Sequence, residues 1–288
     1  MTTTILGANG RLGSVLYRHA LRNRQVWRGQ TRSKGGDIHW SGLMADKSAS
    51  GIFQPGSTII NMIGSTSPNE QDLHVNNVQF VKDLLTRAAD TGVAHVVLAS
   101  SAAVYGNGAD DPLTEGMPLR PLTPYGISKA EMEAAAHAAP TGKDQPAITI
   151  LRIANVAGSD TLLAAAKRNV SDRKPMSLHQ FPNGEAPVRS YIGPKDLFDV
   201  VNTLSKPHSG PPRTFNVAAA HPLSLDRALE GYKQFLLPTL EWKPTPVPSK
   251  VPPTVFLSTK RLERFVDPIE SDNYAFEMAR QVAQDQTP

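Results

Sequence analysis

A serine, a tyrosine and a lysine form the group of side chains in this sequence best suited to chemistry. Tyr125 and Lys129 stand four residues apart, so at the start of a helix they project from the same face, about one turn apart. A free tyrosine has a pKa of about 10, and a neighbouring ammonium favours the phenolate and lowers that pKa. Ser101 ends an apolar run and can hold a substrate oxygen while Tyr125 exchanges a proton. The three residues predict interconversion of an alcohol and a carbonyl.

The pair alone also fits a half-buried aromatic beside a solvated lysine, so the surrounding elements decide between these interpretations. A short β-branched and apolar run, residues 3–6, leads at once into Gly7, Gly10 and Gly13, and leucine and valine then repeat at helical spacing. A glycine-rich turn between a buried strand and a helix allows close approach of a pyrophosphate to the helix N-terminus. We therefore expect a dinucleotide here and not an ordinary glycine turn.

Strand-like and helix-like stretches alternate through about residue 155, which predicts an α/β fold with a doubly wound parallel sheet (Rossmann). We expect residues 1–155 to form this dinucleotide-binding domain, with later strands returning from about 188–217. Residues 156–288 would form mainly a small C-terminal substrate-binding lobe, interleaved with the sheet. The predicted strands are Thr3–Leu6, Gln25–Gly29, Ile38–Trp40, Thr58–Ile63, His95–Ala99 and Ile148–Ile153, and a helix is expected over Thr161–Asn169.

Taken together, these motifs resemble the extended branch of the short-chain dehydrogenase/reductase superfamily, the NAD-dependent epimerase/dehydratase family. The similarity covers nearly the whole chain and its motifs occur in the family's order. Besides the glycine turn, they are residues 57–64, 75–78 (the expected start of a long helix), 100–106, 121–129, 151–156, 188–192 and 214–217.

The resemblance implies a role for individual residues. The catalytic residues would be Ser101, Tyr125 and Lys129. The cofactor-binding residues would be Gly7, Asn9, Gly10, Arg11, Leu12, Gly13, Arg32, Ile63, Gly64, Asn76, Tyr125 and Lys129. The substrate-binding residues would be Ser101, Ala102, Asn155 and Arg189. A helix-capping role for Asn76 and an exposed structural role for Arg189 remain alternatives.

The end of the second strand indicates which cofactor is preferred. An acidic residue about 20 positions after the glycines would bind the ribose hydroxyls of NAD and repel a 2′-phosphate. Here Thr31, Arg32 and Ser33 follow the strand, and the first acidic residue is Asp37. Arg32 is placed to pair with a 2′-phosphate, and Arg11 is a second candidate. We expect NADP in preference to NAD, the alternative being that these arginines are solvated surface cations.

Three functions fit these residues. The first is a reductase or dehydrogenase that transfers hydride between NADP and a small or sugar-derived substrate, with Tyr125 as acid/base. The second is a nucleotide-sugar epimerase or dehydratase with a closed redox cycle, although Ala102 and Ala103 offer no added carboxylate for a dehydratase. The third is a non-catalytic dinucleotide-binding sensor. Because serine, tyrosine and lysine are all present, we expect an enzyme.

Composition narrows the class of protein further. The 288 residues include no cysteine, which excludes disulfides and thiolate metal sites, and the histidines show no metal-ligand spacing. A net charge of +4 with scattered basic residues does not indicate nucleic-acid binding. No apolar run is long enough for a membrane span, and we expect no signal peptide, because the first predicted strand starts almost at Met1. We expect a cytoplasmic enzyme with a small-molecule substrate, pairing as a homodimer.

Overall fold

The computed structural model of the chain describes residues 2–33, 35–42, 46, 49, 51–108, 111–248 and 251–286. The helices are α1 Arg11–Arg22, α2 Glu70–Leu73, α3 Phe80–Asp90, α4 Pro124–His137, α5 Thr161–Ser171, α6 Pro194–Leu204, α7 Leu225–Phe235 and α8 Tyr274–Gln286. The strands are β1 Thr3–Leu6, β2 Trp27–Thr31, β3 Ile38–His39, β4 Thr58–Asn61, β5 His95–Ser101, β6 Ala147–Ile153, β7 Asn155–Val156, β8 Met176–Gln180, β9 Val188–Arg189, β10 Tyr191–Ile192, β11 Arg213–Val217, β12 Leu223–Ser224, β13 Trp242–Pro246 and β14 Thr254–Val255.

The chain divides into two compact units, and the first holds the large sheet. It consists of residues 1–106, 118–152 and 198–215. Its seven strands are ordered β11-β6-β5-β4-β1-β2-β3, and β1 pairs in parallel with β2 on one side and with β4 on the other. Because the strand order runs outward in both directions from β1, the sheet is doubly wound, with helices on its faces. The predicted Rossmann fold is confirmed.

The core of this unit shows how deeply the central strands are buried. Parallel strands covered by helices are buried on both faces, and all seven residues of β6 are buried. Leu84 of α3 and Met132 of α4 pack in one cluster with Ile59, Leu98 and Ile150 of the strands. Burying an aliphatic side chain of this size contributes about 1.5–3 kcal/mol, so this cluster fixes both helices against the sheet.

All six predicted strands are present. Some of their ends are shifted, because a backbone amide near the strand end donates to a group outside the sheet. The strand predicted over Gln25–Gly29 begins instead at Trp27 and extends to Thr31, because the Gln25 amide donates to the carbonyl of Ala20 at the end of α1. β4 ends at Asn61, whose side-chain oxygen accepts from the amide of Ile63 at 3.1 Å. Polar groups at strand ends therefore set the boundaries more finely than apolar runs predict.

The start of the long helix is a correction. We predicted it at residues 75–78, with Asn76 as an alternative helix cap, but helical structure begins at Glu70. Asn69 is the cap, because its side-chain oxygen accepts from the amide of Asp72 at 3.1 Å. Asn76 lies inside the helix and donates to the carbonyl of Asp72 at 2.8 Å. A wider π-helical turn, His74–Gln79, joins α2 to α3.

The second unit consists of residues 107–117, 153–197 and 216–288 and has its own core. It contains three small sheets, ordered β10-β7, β12-β9-β14 and β13-β8. The predicted helix in this part of the chain is α5, capped by Asp160, whose side-chain oxygen accepts from the amide of Leu163 at 2.9 Å. Tyr232 of α7 and Met278 of α8 are fully buried in its core. The Tyr232 hydroxyl also donates to Asp160 at 2.8 Å.

Candidate active site

The glycine turn after β1 has the close packing that a dinucleotide site requires. Gly7 has a φ of +76°, which favours glycine, and its carbonyl accepts from the amide of Gly10 at 2.8 Å. A β-carbon at Gly13 would lie 2.0 Å from the carbonyl oxygen of Gly7, so only glycine lets α1 approach the turn. The Gly7 amide donates to the side-chain oxygen of Gln30 at 3.0 Å, which ties the turn to β2.

A groove of about 520 Å³ opens beside this turn, and seven predicted cofactor residues line it. They are Gly7, Asn9, Gly10, Arg32, Ile63, Gly64 and Asn76. The lining described does not include the other five predicted residues, Arg11, Leu12, Gly13, Tyr125 and Lys129. Lys129 is nevertheless adjacent to it, because a β-carbon on Gly64 would lie 3.2 Å from the Lys129 amine. The groove thus reaches the neighbourhood of the predicted catalytic lysine.

Arg32, directly after β2, lines the groove at the position that we expect to set cofactor preference. The side chain of Arg32 is exposed and lines the groove. Asn9 donates to the Ser33 hydroxyl at 3.1 Å, which links the glycine turn to this segment. Asp37 accepts from the Gly29 amide at 2.7 Å and from the Tyr17 hydroxyl, and burial with this carboxylate raises the pKa of Tyr17 to about 12. The first acidic residue after β2 is thereby engaged by protein groups.

The predicted catalytic residues meet at the end of β5. Ser101 is the last residue of that strand, and its side-chain oxygen accepts from the Ala103 amide at 3.2 Å, capping a short 3₁₀ turn, Ala102–Tyr105. Ala102, a predicted substrate residue, is half-buried at the start of this turn. Helix α4 begins next to it at Pro124, and Ser101 forms a side-chain hydrogen bond with Tyr125.

Lys129 follows Tyr125 by one turn of α4, as its spacing predicts. Its amine lies 5.9 Å from the centre of the Tyr125 ring and donates to the carbonyl of Ala99 at 2.8 Å. The side chain is buried, and burial lowers the pKa of Lys129 to about 8, while the nearby carboxylate of Glu133 raises it. The fold thus places the Tyr125 ring beside a buried amine.

The pKa of Tyr125 differs from the sequence expectation. We expected the lysine to lower it, but burial dominates and raises the pKa of Tyr125 above its ordinary value. The hydrogen bond from Ser101 and the positive charge of Arg11 act in the opposite direction. Arg11 donates to the Thr66 hydroxyl at 3.3 Å, and its positive charge is close enough to favour the Tyr125 phenolate.

Asn77 is a site residue that sequence reasoning missed. Its buried amide accepts from the Ser65 amide at 2.7 Å and donates to the Ser65 carbonyl at 3.0 Å and to the Ser128 hydroxyl at 2.9 Å. It therefore joins the groove wall after β4 to helix α4. The consecutive asparagines in residues 75–78 were the available signal, but the π-helical turn that aims Asn77 inward has no pattern in the sequence.

The two remaining substrate candidates lie together in the second unit. Asn155 is exposed at the start of β7 and donates to the carbonyl of Ser190 at 3.2 Å. The neighbouring Arg189 is half-buried and donates to the carbonyls of Val188 at 2.7 Å and Pro253 at 3.2 Å. Arg189 is therefore not simply an exposed structural cation.

In the part of the chain that the structure describes, no group of three or more histidine, aspartate or glutamate side chains is arranged to hold a metal ion. None of the described helices is long and apolar enough to cross a membrane.

The fold, the glycine turn and the serine, tyrosine and lysine at the end of β5 define an enzyme of the short-chain dehydrogenase/reductase class. The sequence profile of the NAD dependent epimerase/dehydratase family matches residues 3–218. The chain belongs to this family, and the resemblance noted from the motifs is confirmed.

Individual relatives agree with the family assignment. The chain is 30% identical to the UDP-glucose 4-epimerase of Lactobacillus helveticus over 184 residues, which are 55% of this chain and 54% of that protein. It is 27% identical to the UDP-glucose 4-epimerase of Corynebacterium glutamicum over 219 residues, 67% of this chain and 61% of the relative. The chain thus spans little more than half the length of these curated relatives.

Solved structures share the fold over the whole chain at low sequence identity. The structure of MoeE5 in complex with UDP-glucuronic acid and NAD superimposes with a TM-score of 0.79 at 17% identity and covers 99% of both chains. The UDP-Glc/GlcNAc 4-epimerase from Campylobacter jejuni superimposes with a TM-score of 0.79 at 18% identity, covering 98% of both chains. NAD is the dinucleotide bound in the MoeE5 complex.

Proposed function

We propose that this protein is a nucleotide-sugar epimerase. It would oxidise one hydroxyl group of the sugar to a carbonyl and then reduce that carbonyl to the hydroxyl of opposite configuration. The observation that carries the proposal is the meeting of Ser101, Tyr125 and Lys129 at the end of β5, adjacent to the glycine-lined groove. The family assignment and the UDP-glucose 4-epimerases among its relatives support a sugar carried by a nucleotide as the substrate.

The groove fits a nicotinamide dinucleotide because its glycine turn leaves backbone space for a pyrophosphate. A β-carbon on Gly64 in its wall would crowd the side chains of Asn77 and Lys129, at 3.1 and 3.2 Å. When bound, that cofactor would accept the hydride removed from the sugar and return it during reduction. Tyr125 takes the proton from the sugar hydroxyl during oxidation and returns it during reduction. Ser101 orients the reacting oxygen, and Lys129 holds the cofactor ribose and keeps a positive charge beside the phenolate that forms.

Arg11 and Ser101 help Tyr125 to reach the phenolate that oxidation needs. Burial makes this phenolate costly, whereas the guanidinium and the serine hydroxyl both favour it. The two contributions oppose burial at the one atom that exchanges the proton. Asn155 and Arg189 are proposed to bind the nucleotide part of the substrate, for which the positive charge of Arg189 suits a diphosphate.

For the cofactor, we propose a preference for NADP within this NAD-dependent family. Arg32 lines the groove with an exposed guanidinium, and the carboxylate of Asp37 is engaged by Gly29 and Tyr17. A positive charge without a free acid at this position favours a 2′-phosphate.

The same observation at Arg32 favours a second candidate function, net hydride transfer between NADP and a carbonyl or alcohol of a small or sugar-derived substrate. An enzyme of this kind releases its cofactor after each turnover, whereas a closed redox cycle retains it. Pairing as a homodimer and a cytoplasmic location remain predictions for either function.

One experiment separates the two functions. The purified protein is incubated with UDP-glucose without added cofactor, and the sugar is identified after acid hydrolysis of the product. Epimerisation predicts UDP-galactose with no net change in nicotinamide absorbance. Consumption of added NADPH in proportion to a reduced carbonyl substrate, with no epimer formed, would instead establish net transfer.

Tyr125→Phe is the matched variant for this experiment because it removes the exchangeable proton and keeps the ring. Turnover should fall by roughly 10²–10⁴, the usual contribution of a general acid/base, while dinucleotide affinity changes little. Near-normal turnover by this variant would remove Tyr125 from the mechanism.

A further inference from the structure

A buried ion pair, Arg152–Glu133, includes a residue of the helix that carries Tyr125 and Lys129. Arg152, at the end of β6, donates from Nη2 to Glu133 of α4 at 2.7 Å and from Nε to both carboxylate oxygens at 3.1 Å. The side chains are only 6% and 2% exposed. Taking two charges out of water is expensive, and such a pair often adds no net stability over apolar residues of the same size. Its presence beside the active site therefore calls for a reason other than stability.

The pair is connected to both ends of the segment that carries the catalytic serine. Ser100 donates to Glu133 Oε1 at 2.5 Å. The Tyr105 hydroxyl accepts from Arg152 Nη1 at 2.8 Å, and the guanidinium lies 4.9 Å from the centre of the Tyr105 ring. Ser101 therefore stands between two residues that are held by the same two charges.

Glu133 also follows Lys129 by four residues, one turn of α4. The charged or titratable groups around the Lys129 amine are the Tyr125 phenol on its own helix and the Glu133 carboxylate, which is paired across the unit with Arg152. Arg11 acts on the phenol from α1. Of these groups, Glu133 is the one that opposes the loss of the lysine's proton, because burial favours the neutral amine.

We propose, on the basis of the function proposed above, that Glu133 is a positioning residue of the active site. Through its ion pair with Arg152 and its hydrogen bond from Ser100, it holds the Ser101 segment and the Lys129 turn of α4 in one fixed arrangement. The carboxylate touches neither substrate nor cofactor. It acts through the serine on one side and through the charge of the lysine on the other.

The test replaces both buried charges, because Glu133→Gln alone would leave the Arg152 charge buried without the carboxylate that balances it. The double variant Glu133→Gln/Arg152→Gln is compared with the wild type in two measurements on the purified protein. The first is an NMR titration of lysine labelled with ¹³C at Cε, in which the Lys129 signal is assigned by its loss in Lys129→Met. The second is kcat and KM for epimerisation.

The matched control is Glu131→Gln, on the same helix. Glu131 is 52% exposed and lies 3.6 Å from His74. Its replacement therefore removes a negative charge from the exposed surface of α4 and leaves the buried charges unchanged. It should move neither the Lys129 titration nor kcat.

In the double variant, the Lys129 titration should move to lower pH, because the Glu133 carboxylate that favours the protonated amine is gone. The value of kcat should fall by about 10- to 100-fold, as expected when a catalytic group is slightly misplaced, with a smaller change in KM. An unchanged titration together with an unchanged kcat overturns the proposal and leaves the pair a structural feature.

If the wild type turns over no nucleotide sugar, the proposed function fails, while the NMR titration still decides whether Glu133 acts on Lys129. If the double variant does not fold, Ser100→Ala, which removes only one hydrogen bond to the carboxylate, takes its place. Ser100→Ala should lower kcat without lowering the unfolding temperature in proportion, and a wild-type kcat in this variant overturns the proposal.

Discussion

Lys129 should make the cofactor-free protein less stable than it would be with an apolar residue at the same position. Its pKa falls from 10.5 to about 8 on folding, and the main cause is burial. At about 1.4 kcal/mol for each pH unit, this difference corresponds to a cost of about 3 kcal/mol for holding the charged amine in the folded chain. Solvent screening hardly reduces this figure, because the side chain is only 4% exposed.

The sign of the pH dependence follows from proton binding. Between about pH 8 and the ordinary lysine pKa, the unfolded chain binds more protons at Lys129 than the folded chain does, so stability rises with pH. The cost is therefore complete below about pH 8 and is gone above about pH 10.5. Lys129→Met removes the cost at every pH but also removes the hydrogen bond to Ala99, worth about 1 kcal/mol.

We therefore expect Lys129→Met to be more stable than the wild type by about 2 kcal/mol near neutral pH. This advantage should shrink as the pH rises and reverse to a deficit of about 1 kcal/mol above the lysine pKa of the unfolded chain. Urea unfolding of both proteins, stripped of dinucleotide and measured in steps from about pH 7 to about pH 11, gives the difference.

Lys82→Met is the control, since this lysine is exposed on α3 and its replacement should produce no such slope. A difference between Lys129→Met and the wild type that stays constant with pH would refute the reasoning, because it would mean that Lys129 keeps an ordinary pKa when buried.

Three other substitutions test the groove. Arg32→Ala should weaken NADP by roughly 10- to 150-fold, the equivalent of a lost charge-assisted hydrogen bond, and leave NAD nearly unchanged in calorimetric titration; equal weakening of both would make Arg32 structural. Gly13→Ala should destabilise the protein by about 1–3 kcal/mol in thermal unfolding, because its β-carbon would lie 2.0 Å from the Gly7 carbonyl oxygen, and an unchanged midpoint would contradict that packing. Asn77→Leu should weaken dinucleotide binding by about ten-fold, because the two backbone groups of Ser65 lose their buried partners; wild-type affinity would show that Asn77 only fills space.

The sequence predicted those parts of the site that depend on neighbouring residues. The glycine turn, the strand leading to Ser101 and the helix carrying Tyr125 and Lys129 follow from local spacing, and the structure brings the three side chains together. Arg32 at the end of β2 lines the groove for the same reason. Each of these features is encoded within one strand, one helix or one turn.

The sequence did not predict what depends on packing between distant elements. The pKa of Tyr125 is raised because the folded chain buries the phenol, and burial has no signal in a four-residue spacing. The partner of Glu133, on helix α4, is Arg152, which lies on the separate strand β6. The inward direction of Asn77 depends on a π-helical turn, since residues 75–78 alone predicted the start of a helix that in fact begins at Glu70.

The position of β11 in the chain has a consequence for synthesis on the ribosome. This strand pairs with β6 at one end of the large sheet, yet residues 154–212 must be translated between the two. Until β11 emerges, β6 is an unpaired edge strand, and all seven of its residues are buried in the folded protein. Exposed edge strands of this kind pair with other chains. The sheet is completed only after most of the protein has been made. A nascent or truncated chain that ends before residue 213 should therefore aggregate or bind chaperones.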